Sequence, residues 1–174
     1  LKLIDTFKVL PFQRKNITLI QTFDNKINEK LIVKSRNVTQ RRLELCGIKK
    51  IEEIIIPHKE NILSDKIQIC VNRDVDVILI IGPHAITHIK DVIPNAIKMS
   101  GAKIMRFGIP VEPGNLLLLS KFKSNYKDIY IIGMPSCAKS PKENGLDWVL
   151  WRILCNVSFK NSNLNELSVG GLIK

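Results

Sequence analysis

DVILIIGPHAITHIKDVIPNAI, residues 76–97, decides the fold. After Asp76 the run is unbroken and apolar up to Gly82, and a strand that is apolar on both faces has both faces covered. Such a strand belongs in the middle of a parallel sheet. Asp91 then stands before a helix with Pro94 in its first turn and Ile93, Ala96 and Ile97 facing inward, and Gly101 ends it. The unit is therefore strand, loop (residues 82–91), helix.

Working outward, the same alternation repeats. ITLIQT (17–22) reads as a strand, and residues 29–46 read as a helix with Leu31, Val38 and Leu45 at seven-residue spacing, stopped by Gly47. IEEIII (51–56) is a second strand, followed by a helical face of Ile62, Leu63, Ile67, Cys70 and Val71. Downstream, KIMRFG (103–108) is a strand, IPVEPGN (109–115) a loop leading into LLLL, SKFKSNYKD a polar connection, and IYIIG (129–133) the last strand. The final helix is placed from Ser140 as N-cap, with Pro141 at its first position, Glu143 as capping-box acid, and Leu146, Val149, Leu150, Ile153, Leu154 and Val157 on one face. Trp148 and Trp151 on that helix read as packing or interface residues. The fold class is α/β, a three-layer α/β/α sandwich with a mostly parallel central sheet. Ligands of such sheets gather at the carboxyl ends of the strands, which singles out residues 82–91, 109–115 and 133–140.

Composition narrows the function. With 45% hydrophobic and 25% charged residues the chain is globular, and its apolar runs fall short of the roughly 18 residues a membrane span needs. There is no membrane partner to expect. No charged leader with a cleavage site is present, so a cytoplasmic protein is expected, while Leu1 in place of methionine raises the expectation of a piece of a longer one. Four cysteines with no CxxC pair fit reduced thiols. A formal charge of +11 invites nucleic acid, yet lysines outnumber arginines 20 to 7 and are scattered, so nucleic acid is disfavoured and an anionic small molecule is favoured.

GMPSCAKS, residues 133–140, has the spacing of a Walker A phosphate loop with Ala138 at its second glycine. Pro135 and Pro141 each remove an N–H donor and Ala138 adds a Cβ, so the nucleoside-triphosphate reading fails on mechanism. An anion site remains: the N–H groups of Lys142 and Glu143 at the expected helix start, helped by Lys139, suit a phosphate or carboxylate. Cys137, beside Lys139 and Lys142, is placed for a lowered pKa, and His84 is the base that would pair with it. His84, His88 and Asp91 as metal ligands is the weaker reading, because the spacing falls in a loop.

Together these loops resemble the molybdopterin-binding domain shared by molybdopterin adenylyltransferases and molybdenum insertases, over roughly residues 17–157. The resemblance rests on IIGPHAITHIKDVIPNAI with Gly82, Asp91 and Pro94, on VEPGN with Pro113 and Gly114, and on IYIIGMPSCA with Gly133, Pro135 and Ser136. DVIPNAI, GIPVEPGNLLLL, SCAKSPKENGLDWVL and SVGGLIK are most similar to the branch in which this domain precedes a cytidylyltransferase-like nucleotidyltransferase domain. Residues 1–157 would then form the binding domain and 158–174 a polar tail or linker.

The resemblance implies binding of molybdopterin or a molybdenum-cofactor intermediate, in biosynthesis, storage or hand-over, by a homo-oligomer with a nucleotidyltransferase domain or protein as partner. It implies ligand contacts at Gly82, His84, Asp91, Pro113, Gly114, Asn115, Gly133, Pro135, Ser136, Cys137, Ser140 and Lys142. Where adenylyltransferases carry a Thr-Gly-Gly-Thr-Gly loop and an acid after the second strand, this chain has Gly82-Pro83-His84-Ala85 and Pro57-His58-Lys59-Glu60. Magnesium-dependent adenylyl or cytidylyl transfer would then use Asp91, as metal ligand, and Glu60. Binding is the leading expectation, transfer the alternative, and a protein-interaction module the third.

Overall fold

The computed structural model describes residues 9–159 and 164–165. In chain order the elements are β1 (Ile17–Phe23), α1 (Glu29–Glu44), β2 (Glu52–Pro57), α2 (Glu60–Val71), β3 (Val77–Ile81), α3 (Val92–Met99), β4 (Lys103–Phe107), β5 (Leu118–Lys123), β6 (Asp128–Gly133), a short 3-10 turn (Ser136–Lys139) and α4 (Gly145–Leu154). One six-stranded sheet has the order β2-β1-β3-β6-β5-β4. Strands β2, β1, β3 and β6 pair in parallel, and β5 is antiparallel to both β6 and β4.

β3 is buried at every residue, as its continuous apolarity requires. Because side chains alternate across a strand, Val77, Leu79 and Ile81 join one core with Leu43 of α1 and Leu146, Val149, Leu150, Ile153 and Leu154 of α4. Ile78 and Ile80 join the other, with Leu63 and Ile67 of α2 and Ile93, Ala96 and Ile97 of α3. That gives three layers, α1 and α4 on one face and α2 and α3 on the other. Trp148 and Trp151 are partly buried against the first core, and the Trp148 indole N–H donates to Glu143 Oε1 at 2.8 Å. Among the described residues no helix is long and apolar enough to cross a membrane.

Three expectations are corrected. SKFK is not a polar connection but the body of β5, where Ser120, Lys121 and Phe122 pair with Ile131, Tyr130 and Ile129. The lysines are tolerated because they alternate outward, and Lys121 meets Asp128 at 2.9 Å. The final helix begins at Gly145, not Ser140: Asn144 is its N-cap, and Asp147 closes the capping box with Asn144 N–H at 2.8 Å. Pro141 and Glu143 precede the helix. In α1 the seven-residue stripe faces water at both ends, Leu31 being 54% and Leu45 86% exposed, and the buried face is Ser35, Val38, Thr39, Arg42 and Leu43.

Of the expected tail, Phe159 stacks edge-on with Tyr130 at 5.8 Å and Leu164 is buried in the first core. Residues 160–163 and 166–174 lie outside the described residues.

Candidate functional site

The carboxyl ends of β1, β3 and β6 share one rim, since Gln21 pairs with Ile81 and Ile80 with Gly133. Gly82 follows β3 directly. A Cβ there would lie 3.0 Å from Ile93 Cδ1 and 3.2 Å from the His84 carbonyl, so the glycine lets the 83–91 loop fold back over the strand end. Gly133 serves the same loop from β6, where a Cβ would meet Ile86 Cδ1 at 2.6 Å.

The loop is closed by Asp91. It occupies the N-cap position of α3 but makes no side-chain cap bond; its Oδ2 instead accepts the N–H groups of Thr87 at 2.8 Å and His88 at 2.9 Å. The carboxylate therefore organises the turn before the helix. Glu60, first residue of α2, accepts Asn95 Nδ2 at 2.8 Å and so ties the starts of α2 and α3. These residues line a cleft of about 460 Å³ with His58, His84, Thr87 and Lys90. Glu60, His84 and Asp91 are thus brought together.

Beside the cleft runs a chain of polar contacts that sequence reading missed. Thr22 Oγ1 and His58 Nδ1 share a hydrogen bond of 2.7 Å, and His84 Nε2 meets Asp24 Oδ2 at 2.8 Å. Burial lowers the His58 pKa, with His84 adding to the effect while Asp24 and Asp91 oppose it. With the folded value below the usual 6.5, both states are mostly neutral at pH 7, and on acidification the unfolded chain takes up the proton first. Stability is full above about pH 6.5 and falls as the pH drops through the folded value. Thermal melting of His58→Gln should therefore lose less between pH 7 and 5 than that of the unaltered chain; equal slopes would remove His58 from the account.

The other expected residues sit elsewhere on the rim. Pro135 is buried, Ser136 exposed and Cys137 partly buried, the last two in the short Ser136–Lys139 turn that packs on α1. Lys139 Nζ reaches across to the Gly82 carbonyl at 2.9 Å, joining residues 133–140 to 82–91. Burial raises the Cys137 pKa, and His84 is engaged with Asp24, so a lowered thiol paired to His84 is not what forms. Ser140 and Lys142 are also not a helix start: Arg42 on α1 donates Nη2 to both carbonyls, at 2.9 Å for Lys142, and pairs through Nη1 with buried Asp147. Their carbonyls are thereby fixed, and the Ser140 N–H already donates to the Cys137 carbonyl at 3.0 Å. Pro113 and Gly114 pack on the start of α4, where the Gly145 N–H donates to the Pro113 carbonyl at 2.9 Å, and Asn115 is exposed. Residues 113–115 and 133–140 do not line the Asp91 cleft.

Among the described residues no three His, Cys, Asp or Glu side chains group as metal ligands. Asp91 and Glu60 share a cleft, but each has an oxygen committed to N–H donors, and no third acid joins them. That pair does not fit magnesium by itself.

Asp24 had a weak signal, an acid directly after the strand Ile17–Phe23. Arg42 and Asp147, 105 residues apart, had none.

No family model matches the sequence, and no curated protein is similar to it. Solved structures are. The crystal structure of the tungsten cofactor synthesizing protein MoaB from Pyrococcus furiosus aligns with a TM-score of 0.56 and 14% identity, over 87% of this chain and 98% of that one. At that identity the likeness establishes the fold.

Proposed function

We propose that the chain binds molybdopterin or a molybdenum-cofactor intermediate and serves its synthesis, storage or hand-over. The observation that carries this reading is the polar cleft around Asp91 at the carboxyl ends of the parallel strands, in a sandwich that resembles a cofactor-synthesizing protein. A pterin offers several N–H donors and a phosphate tail. Asp91 Oδ1 has no partner among the described residues and accepts a pterin N–H; His84 and Lys90 line the same cleft and suit the anion. Gly82 and Gly133 contribute by letting the loop close. Pro113, Gly114, Asn115, Pro135, Ser136, Cys137, Ser140 and Lys142 form the outer rim from which a long ligand would gain its remaining contacts. The net positive charge draws an anion to that rim.

Nucleotidyl transfer is the second reading, favoured by one observation: Glu60 and Asp91 face one cleft. Any divalent ion would have to be completed by the substrate's own phosphates.

Expression in cells that make molybdopterin should yield protein carrying a pterin, and Asp91→Asn should retain at least tenfold less. Protein that leaves such cells empty and ignores added molybdopterin would overturn the proposal. Consumption of ATP or CTP with molybdopterin, abolished by Glu60→Gln, would move the assignment from binding to transfer.

A further inference from the structure

A second opening lies across Gly82 and Pro83 from the Asp91 cleft, on the α1 side of the sheet. Its volume is about 190 Å³, and none of its lining residues is shared with the first cleft. It sits where β1 and β3 are neighbours and the chain leaves them toward opposite faces, the switch point at which open α/β sheets take ligands. Gln21, Phe23, Ile32, Ser35, Ile81 and Lys139 are among its walls.

Two of these residues are almost wholly buried and still have polar atoms to offer. Gln21, 1% exposed, donates Nε2 to the Ile32 carbonyl at 3.0 Å and to Glu53 Oε1 at 2.7 Å. Both partners are acceptors, which fixes the amide's orientation and leaves Oε1 with no donor among the described residues. Ser35, 3% exposed, gives its carbonyl to the Thr39 hydroxyl, while its own hydroxyl has no partner among the described residues. Lys139 closes the set: Nζ donates to the Gly82 carbonyl at 2.9 Å and lies 3.5 Å from that of Pro83, leaving a further N–H for another acceptor. Burial lowers the amine's pKa, as expected of a lysine drawn into a crevice. On these buried residues an acceptor and a hydroxyl are left facing the opening, and with a cationic donor they line it between the apolar Phe23, Leu31, Ile32 and Ile81, while Asp24, Lys26 and Asn28 also line it.

We propose that this crevice holds the lactam edge of a planar nitrogen heterocycle: a ring N–H donates to Gln21 Oε1, the adjacent ring carbonyl accepts from Lys139 Nζ, and Ser35 serves either. The volume falls below the roughly 300 Å³ at which sites for drug-sized ligands begin, so it suits a ring and not a whole nucleotide. A pterin and a guanine base both present this edge. That the ring is a pterin rests on the function proposed above; the ring's remainder then passes over Gly82 toward the Asp91 cleft.

Calorimetric titration of the full chain with free pterin and with guanosine tests this, using Ser35→Leu to fill the crevice, Ser35→Ala to delete only the hydroxyl, and Lys139→Met. Pterin should bind the unaltered chain, with at least a tenfold loss in Ser35→Leu and Lys139→Met. Ser35→Ala, which breaks no protein contact, should melt normally and bind several-fold more weakly, so the test survives if the leucine variant does not fold. Guanosine binding with the same losses, and no pterin binding, would keep the crevice and remove the pterin reading. Pterin affinity unchanged in all three variants would overturn the crevice and leave the function standing. Failure of both rings to bind folded, unaltered protein would overturn it too.

Discussion

Arg42→Met is expected to destabilise the domain by about 3–5 kcal/mol, because it strands the Asp147 carboxylate in a buried site. The two side chains are 6% and 7% exposed, and Arg42 Nη1 reaches both Asp147 oxygens. Removing one member of such a pair leaves the other charged, desolvated and unpaired. More is lost than one ion pair. Arg42 Nη2 also holds the Ser140 and Lys142 carbonyls, and Asp147 takes the Asn144 N–H of the capping box, so one arginine fixes the path of residues 140–144 into α4. Against a typical total of about 5–15 kcal/mol the loss is large. Arg42→Lys should recover little, since an ammonium cannot satisfy a carboxylate and two carbonyls in one plane. Guanidinium unfolding measures it. The double change Arg42→Met with Asp147→Leu should cost clearly less than the two singles added, as apolar pairs replace buried ion pairs at little net cost. An Arg42→Met variant within about 1 kcal/mol of the unaltered chain would mean the carboxylate finds water or a proton.

The layers were legible because hydrophobic period carries them. β3 shows no alternation, α3 shows a helical face behind Pro94, and Gly47 and Gly101 stop their helices at positive φ, +81° and +87°. What could not be read has a common cause. α1 buries Ser35, Thr39 and Arg42 beside Val38 while exposing Leu31 and Leu45, so its seven-residue apolar spacing meets the buried face at Val38 alone. Ser35 lines a crevice and Arg42 meets a buried aspartate, both completed by other parts of the chain, and a one-dimensional pattern has no sign of either. β5 fails for a related reason: a strand joined antiparallel beside β6 has partly solvated faces, and SKFK resembles a loop until its neighbours are known. At the rim the resemblance placed Gly82, His84, Asp91 and Glu60 in one region, and the cleft contains or adjoins all four. Thr22, Asp24 and His58 enter that region from two other strands, which only the sheet order brings side by side.

Gly114→Ala is expected to be the second severe substitution, at about 2–6 kcal/mol, from a strained backbone together with an overpacked contact. Its φ is +126°, and a Cβ would stand 2.6 Å from the Gly145 nitrogen and 2.8 Å from the Gly145 Cα. Those are backbone atoms of the first turn of α4, and they cannot rotate aside. Gly145→Ala is the informative comparison. Its Cβ would strike Ile109 Cδ1 at 2.7 Å, the end of a flexible side chain, so the cost should be smaller, about 1–3 kcal/mol. Two glycines facing each other thus make unequal demands, one on backbone and one on a rotamer. Unfolding measurements that reverse this order would show the 109–115 loop free to lift off α4. The order as expected would make that loop a fixed wall, and then a Gly114→Ala chain that is still folded at low temperature, yet retains no pterin, would place Pro113 to Asn115 among the ligand's contacts. Pterin retained in full by that folded variant would confine the ligand to the two openings flanking Gly82.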